Sequence, residues 1–182
     1  MRKLINIQTK LSILVAGIMV LSSCSQEKKR PDYLTKIDSL TTVLANDASA
    51  FQTIDTTLIS SKIKNIESQL ANLDLIDSSL RIPERINYSE ISKSFKLFLE
   101  ENNQIIEEIN FSKKQLSNLR IDTENELLNS DDLKLYFEQE CEAVAILQHK
   151  MELYQKKINS QLDNYEVFNS KIGYLLDSLS KN

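Results

Sequence analysis

Apolar residues recur every three or four positions along most of this chain, a period that suits helices and little else. From residue 83 onward the stripe reads Tyr88, Ile91, Phe95, Phe98, Asn102, Ile105, Ile109, Ser112, Leu116 and Leu119, in strictly alternating steps of three and four. A heptad seam sustained over four repeats is the pattern of coiled-coil packing. Asn102 and Ser112 are its polar members, and a buried Asn in such a seam fixes register at some cost in stability.

Two further stretches carry the same period. Leu34, Ile37, Leu40 or Thr41, and Leu44 open one of them. Ala45-Asn46-Asp47-Ala48-Ser49 weakens the pattern, as a kink or a short turn would. It resumes at Phe51, Ile54 and Leu58 and runs through Ile59, Ile63, Ile66, Leu70, Leu73, Ile76 and Leu80. The last stretch carries Leu133, Phe137, Cys141, Val144, Leu147, Met151, Tyr154, Ile158, Leu162, Tyr165, Phe168, Ile172, Leu175 and Leu179. Its mean step of about 3.5 residues predicts left-handed supercoiling.

The breaks between stretches are short. Pro31-Asp32 and Pro83-Glu84 each put a proline and an acid in a first turn, and Asn129-Ser130-Asp131-Asp132 offers a capping residue followed by two acids. The helix that starts at Pro83 is expected to run to about Leu128. Arms over 34–80, 84–128 and 132–179 are of nearly equal length, and tight breaks between equal arms favour up-down-up topology. At 1.5 Å per residue each arm would be about 70 Å long. The expected fold is all-α: an elongated antiparallel three-helix bundle with coiled-coil-like heptad seams, or a four-helix variant if the Asn46 region is a turn. Composition agrees. Beyond residue 23 there is one glycine, Gly173, and two prolines, Pro31 and Pro83, too few for the turns of all-β or βαβ folds or for a phosphate-binding glycine loop.

The start of the chain has a different order. Arg2, Lys3 and Lys10 precede an apolar run over 11–21, which ends at Leu21-Ser22-Ser23-Cys24. A basic region, a short apolar run and small residues form the pattern of a secretory signal peptide. The run is far shorter than the roughly 20 residues of a membrane-spanning helix. Leu-Ser-Ser-Cys resembles the lipobox of bacterial lipoproteins. That resemblance implies cleavage before Cys24, a diacylglycerol thioether on its sulfur and acylation of its new N-terminus, and such chains anchor a protein firmly. The expected organisation is a signal peptide over 1–23, a lipidated Cys and flexible tether over 24–32, and the helical bundle over 33–182. Overall the chain resembles small helical lipoproteins of Bacteroidota, which implies a place in the cell envelope, most naturally at the outer membrane. Ser25-Gln26-Glu27-Lys28-Lys29 loosely resembles the acidic surface-export signal of that group, with one acid where the signal has several, so the leaflet stays open.

Without residues 1–23 the chain holds 19 basic and 26 acidic residues, a net charge of −7 with its one histidine neutral. That argues against nucleic acid as a partner, because phosphate binding needs clustered Lys and Arg. With Cys24 acylated, Cys141 is a single thiol, expected as a small buried hydrophobe.

Residue types for catalysis are sparse. His149 is the only histidine, and Ile146 stands where a Glu-x-x-His iron motif needs its acid. His149 is expected on a solvated flank. Glu100-Glu101, Glu107-Glu108 and Asp131-Asp132 are sequence neighbours, which on a helix diverge by about 100° and do not converge on a substrate. No catalytic, cofactor-binding or metal-ligating residue is assigned. Asp38-Ser39-Leu40, Asp55-Thr56-Thr57 and Asp177-Ser178-Leu179 resemble the O-glycosylation motif of exported Bacteroidota proteins, which implies sugar on Ser39, Thr56 or Ser178. The functional expectation is a non-enzymatic, membrane-anchored interaction protein that tethers, spaces or docks, partnered by another envelope protein or by itself. A holdase-like chaperone, or a carrier gripping an apolar ligand between helices, is the alternative.

Overall fold

The computed structural model describes residues 30–76 and 82–181. Within them the chain is all-α: α1 (Arg30–Phe51), α2 (Thr56–Ile76), α3 (Pro83–Glu124) and α4 (Ser130–Leu179). Cys24 and the stretch read as signal peptide lie outside the described residues.

The helix ends follow from local chemistry. α1 begins at Arg30, inside the stretch read as tether, with Pro31 and Asp32 in its first turn. Asn129 caps α4, its side-chain oxygen accepting the Asp131 and Asp132 amides at 3.0 and 2.9 Å. α3 stops at Glu124, four residues before the expected end. There the Leu127 amide reaches back to the Asp122 carbonyl and the Glu126 amide to that of Thr123. This is the Schellman closure, and Glu126 occupies its left-handed position with φ 56°. No glycine announced it.

The weak spot in the first arm also falls elsewhere than expected. α1 is continuous through Ala45-Asn46-Asp47-Ala48-Ser49 and breaks after Phe51. The Ala50 carbonyl explains why. It accepts the Thr53 hydroxyl at 2.7 Å, the Gln155 side chain at 3.0 Å and the Thr53 amide at 3.3 Å, while the Ile54 amide turns to the Phe51 carbonyl instead. Asp55 then restarts the helix by accepting the Leu58 amide at 2.9 Å. The first arm is therefore two helices.

The chain divides into two compact units, one taking residues up to Val43 with Ser112–Val144, the other Leu44–Phe111 with Ala145–Asn182. In the first, the N-terminal part of α1 packs antiparallel to the end of α3 and parallel to the start of α4. Ion pairs Asp38–Arg120 at 2.7 Å and Arg30–Glu126 at 2.8 Å join α1 to the α3 end, and Tyr33 meets Phe137 of α4 edge-on at 5.5 Å. Ile37, Leu116, Leu119, Leu133 and Val144 are buried there.

In the second unit α2, α3 and α4 repeat this topology around a continuous core, centred on Ile59, Ile63, Ile66, Leu73, Tyr88, Phe95, Ile158, Tyr165 and Ile172. All ten α3 stripe positions named above are buried, Asn102 and Ser112 included. The α4 stripe is covered less evenly: Val144, Leu147, Met151, Ile158, Tyr165 and Ile172 are buried, whereas Tyr154, Leu162 and Phe168 are half-buried. Leu58 and Ile76, assigned to the first-arm stripe, are exposed. The antiparallel heptad-seamed bundle expected from the pattern is the fold observed.

Candidate functional site

The feature that stands out chemically is a polar cluster inside the second unit's core. Tyr88 of α3 and Tyr165 of α4 both sit on apolar seams, their rings stacked at 6.0 Å and 25°. A buried tyrosine needs a partner for its hydroxyl. Asn65 of α2 and Asn169 of α4 supply them. The Asn65 side-chain amide donates to the Tyr165 hydroxyl and to the Asn169 side-chain oxygen, each at 2.8 Å. Tyr88 donates its hydroxyl to the same Asn169 oxygen, also at 2.8 Å. Above them Lys62, its side chain only 13% exposed, lies 4.0 Å from the centre of the Tyr165 ring and pairs with Glu166 at 2.5 Å.

The arrangement joins three helices. Lys62–Glu166 and Asn65–Asn169 share the same 104-residue offset between α2 and α4, so both contacts fit one register. Slipping either helix by one residue would break both and leave buried donors without acceptors, at about 1–3 kcal/mol each. Burial pushes the Tyr88 phenol well above the ordinary tyrosine range. A proton held that firmly donates a hydrogen bond and does not transfer at neutral pH. The cluster's groups satisfy one another, and its chemistry is positional.

A second polar feature lies nearby. Tyr154 is pushed up to about 12, first by burial and then by the Glu101 and Glu108 carboxylates. One Glu101 oxygen is buried without a protein partner. Glu108 pairs with Lys150 at 2.6 Å, so the Glu107-Glu108 neighbours divide between solvent and a cross-helix bridge, as divergent helix positions must.

Surface grooves complete the unit. One of about 450 Å³ is lined by Ile82, Glu84, Ser170, Lys171, Tyr174 and Leu175. Another, of about 520 Å³, has a more polar lining that includes Asp74, Arg85, Ser89 and Glu90.

The remaining sequence-assigned residues are scattered. His149 is exposed, on the expected flank. Cys141 is half-buried, more open than expected, and burial with Glu138 and Glu140 raises its thiol, which disfavours the nucleophilic thiolate. Ser39 is exposed on α1, though the preceding Asp38 is held by Arg120. Thr56 opens α2 directly after the break, and Ser178 donates its hydroxyl to the Leu175 carbonyl at 2.8 Å. No group of three or more His, Cys, Asp or Glu that could hold a metal occurs among the described residues, and no helix there is long and apolar enough to cross a membrane.

Sequence reasoning found Tyr88 and Tyr165 as seam members but missed Asn65, Asn169 and Lys62, which flank their seams. The available signal was the two seam tyrosines themselves, whose hydroxyls demand partners; which amides answer is set by helix register. No protein-family model, curated protein or solved structure matches the chain.

Proposed function

We propose that this chain is a lipid-anchored protein of the cell envelope, held at the outer membrane through Cys24, and that its helical part is an interaction module that tethers, spaces or docks envelope components. The observation that carries the reading is the order at the start: basic residues, an 11-residue apolar run, and Leu21-Ser22-Ser23-Cys24. The bundle supports it from the other side. Its interior polar groups are arranged to hold helix register, and its acidic net charge suits neither nucleic acid nor a polybasic grip on lipid. On this reading the protein is not an enzyme.

Metabolic labelling with a palmitate analogue, followed by membrane fractionation, tests the anchor. Label should travel with the chain into the outer-membrane fraction, and Cys24→Ser should abolish both label and membrane retention. Label that survives Cys24→Ser, or an unlabelled chain in the soluble fraction, overturns the reading.

A carrier or holdase is the second reading, favoured by the groove beside Tyr174, where Ile82 and Leu175 add apolar surface. It predicts saturable binding of an apolar dye by the folded protein, lost on Tyr174→Glu. A dye signal unchanged by that substitution removes it.

A further inference from the structure

The outward faces of α3 and α4 in the second unit bear apolar rows that the fold itself does not cover. On α3, Leu97 and Phe111 are 49% and 63% exposed, and on α4 Ile146 and Leu153 are 62% and 51% exposed. Spacings of 14 and 7 residues keep each pair on one line of a coiled-coil helix. The Lys150–Glu108 bridge, at 2.6 Å, shows that the two helices adjoin along this side.

Charge differs sharply between the two rows. From Leu97 to Phe111, α3 carries Glu100, Glu101, Glu107 and Glu108 and no Lys or Arg. From Ile146 to Lys157, α4 carries Lys150, Lys156 and Lys157 against Glu152 alone. One face thus presents an acidic apolar helix beside a basic apolar helix.

We propose that this face binds a second copy of the same chain, with α3 of each copy lying over α4 of the other. The proposal rests on the interaction-module reading and names its partner. A two-fold axis parallel to the helices brings α3 over α4 twice at unchanged height, so acid meets base and Phe111, level with the Glu108–Lys150 bridge, meets Ile146. The other two-fold arrangement, with its axis in the face and across the helices, lays α3 over α3 and stacks four carboxylates on four. Like-charge contact of that kind is strongly disfavoured.

Photo-cross-linking in the full chain, expressed in its own envelope, tests this. Benzoylphenylalanine replaces Leu153, or Asn72 on exposed α2 as the control position. Leu153 should give a product of twice the chain mass, and its cross-linked peptide should map to α3 between residues 97 and 111 of a differently tagged copy. Lys156→Glu with Lys157→Glu should cut that product about tenfold by turning favourable rim pairs into repulsive ones. Adding Glu100→Lys and Glu107→Lys should restore it. Cross-links from Leu153 to α4 of the second copy, a yield no greater than from Asn72, or a loss that the reversed pair does not rescue would each overturn the proposal. A Leu153 product with a different protein would overturn self-association and leave the interaction-module reading standing; absence of products from every exposed position would count against both.

Discussion

The two units share one topology and differ in what fills it. In the first, the buried side chains are aliphatic apart from Ser112 and Thr123, and the connections between helices include an aromatic edge contact and ion pairs near the surface, Asp38–Arg120 and Arg30–Glu126. In the second, Tyr88, Phe95 and Tyr165 sit within the core, and a hydrogen-bonded cluster crosses it. Apolar area stabilises in proportion to what is buried and is indifferent to register, whereas a satisfied polar network tolerates one arrangement. The comparison teaches that apolar packing holds helices together without choosing their alignment, whereas a buried polar network fixes it.

The largest effect should come from the aromatic core. Phe95→Ala should destabilise the second unit by about 3–5 kcal/mol, and Leu116→Ala should cost the first unit about 2–5 kcal/mol. Urea unfolding followed by circular dichroism measures both. A larger loss at Leu116 would break the contrast.

Next comes the cluster. Asn169→Ala removes the acceptor shared by Tyr88 and Asn65, and should cost about 1–3 kcal/mol. Tyr88→Phe added to it should cost less than Tyr88→Phe alone, because the orphaned donor is gone. A double-mutant cycle by urea denaturation reads this coupling, and additive losses would show that the cluster does not act as a unit.

Alkali should separate the units by a smaller margin. A phenol whose proton is held more tightly in the folded chain lends stability that is whole below about pH 10, its unfolded value. That stability is lost as pH climbs through the folded value, about 12 for Tyr154. The urea midpoint should therefore fall between these limits, and Tyr154→Phe should flatten the fall.

Two opposite substitutions should each stabilise. Gly173→Ala adds a methyl where no atom lies within 4 Å of the new carbon, and in a helix interior should gain about 0.5–1 kcal/mol. Glu126→Gly relieves the left-handed backbone at φ 56°; its gain of about 1 kcal/mol is reduced by loss of the pair with Arg30. Thermal melts measure both.

The smallest effect belongs to the surface pairs. Asp38→Ala should leave the melting temperature nearly unchanged, and any shift should vanish in high salt.

Much of the fold was legible from periodicity. The α3 seam was readable to the residue because its steps of three and four never falter. Helix ends were legible where the residue itself marks them, as Asn129 does by capping and Pro83 by its fixed φ at a first helical position. They were illegible where backbone geometry decides, as at Glu126, whose left-handed turn carries no glycine. The break after Phe51 was misplaced because Asn46 and Asp47 resemble a turn locally, while the deciding interaction, Gln155 onto the Ala50 carbonyl, comes from more than a hundred residues away. The polar cluster was half legible for the same reason: the tyrosines lie on the pattern and their amide partners beside it.

By itself, then, the order of residues determined the helical class, the number of arms, their direction and the buried faces, because a 3.5-residue apolar period and scarce turn residues act along the chain and need no distant partner. It also placed the lipobox-like Cys24 on which the functional proposal rests. Tertiary structure alone decided which amides meet Tyr88 and Tyr165, where the first arm divides, and that an acidic row on α3 lies beside a basic row on α4. Those outcomes depend on helix register and on which flanks adjoin, and a residue's neighbour across a bundle is fixed only when the helices are packed.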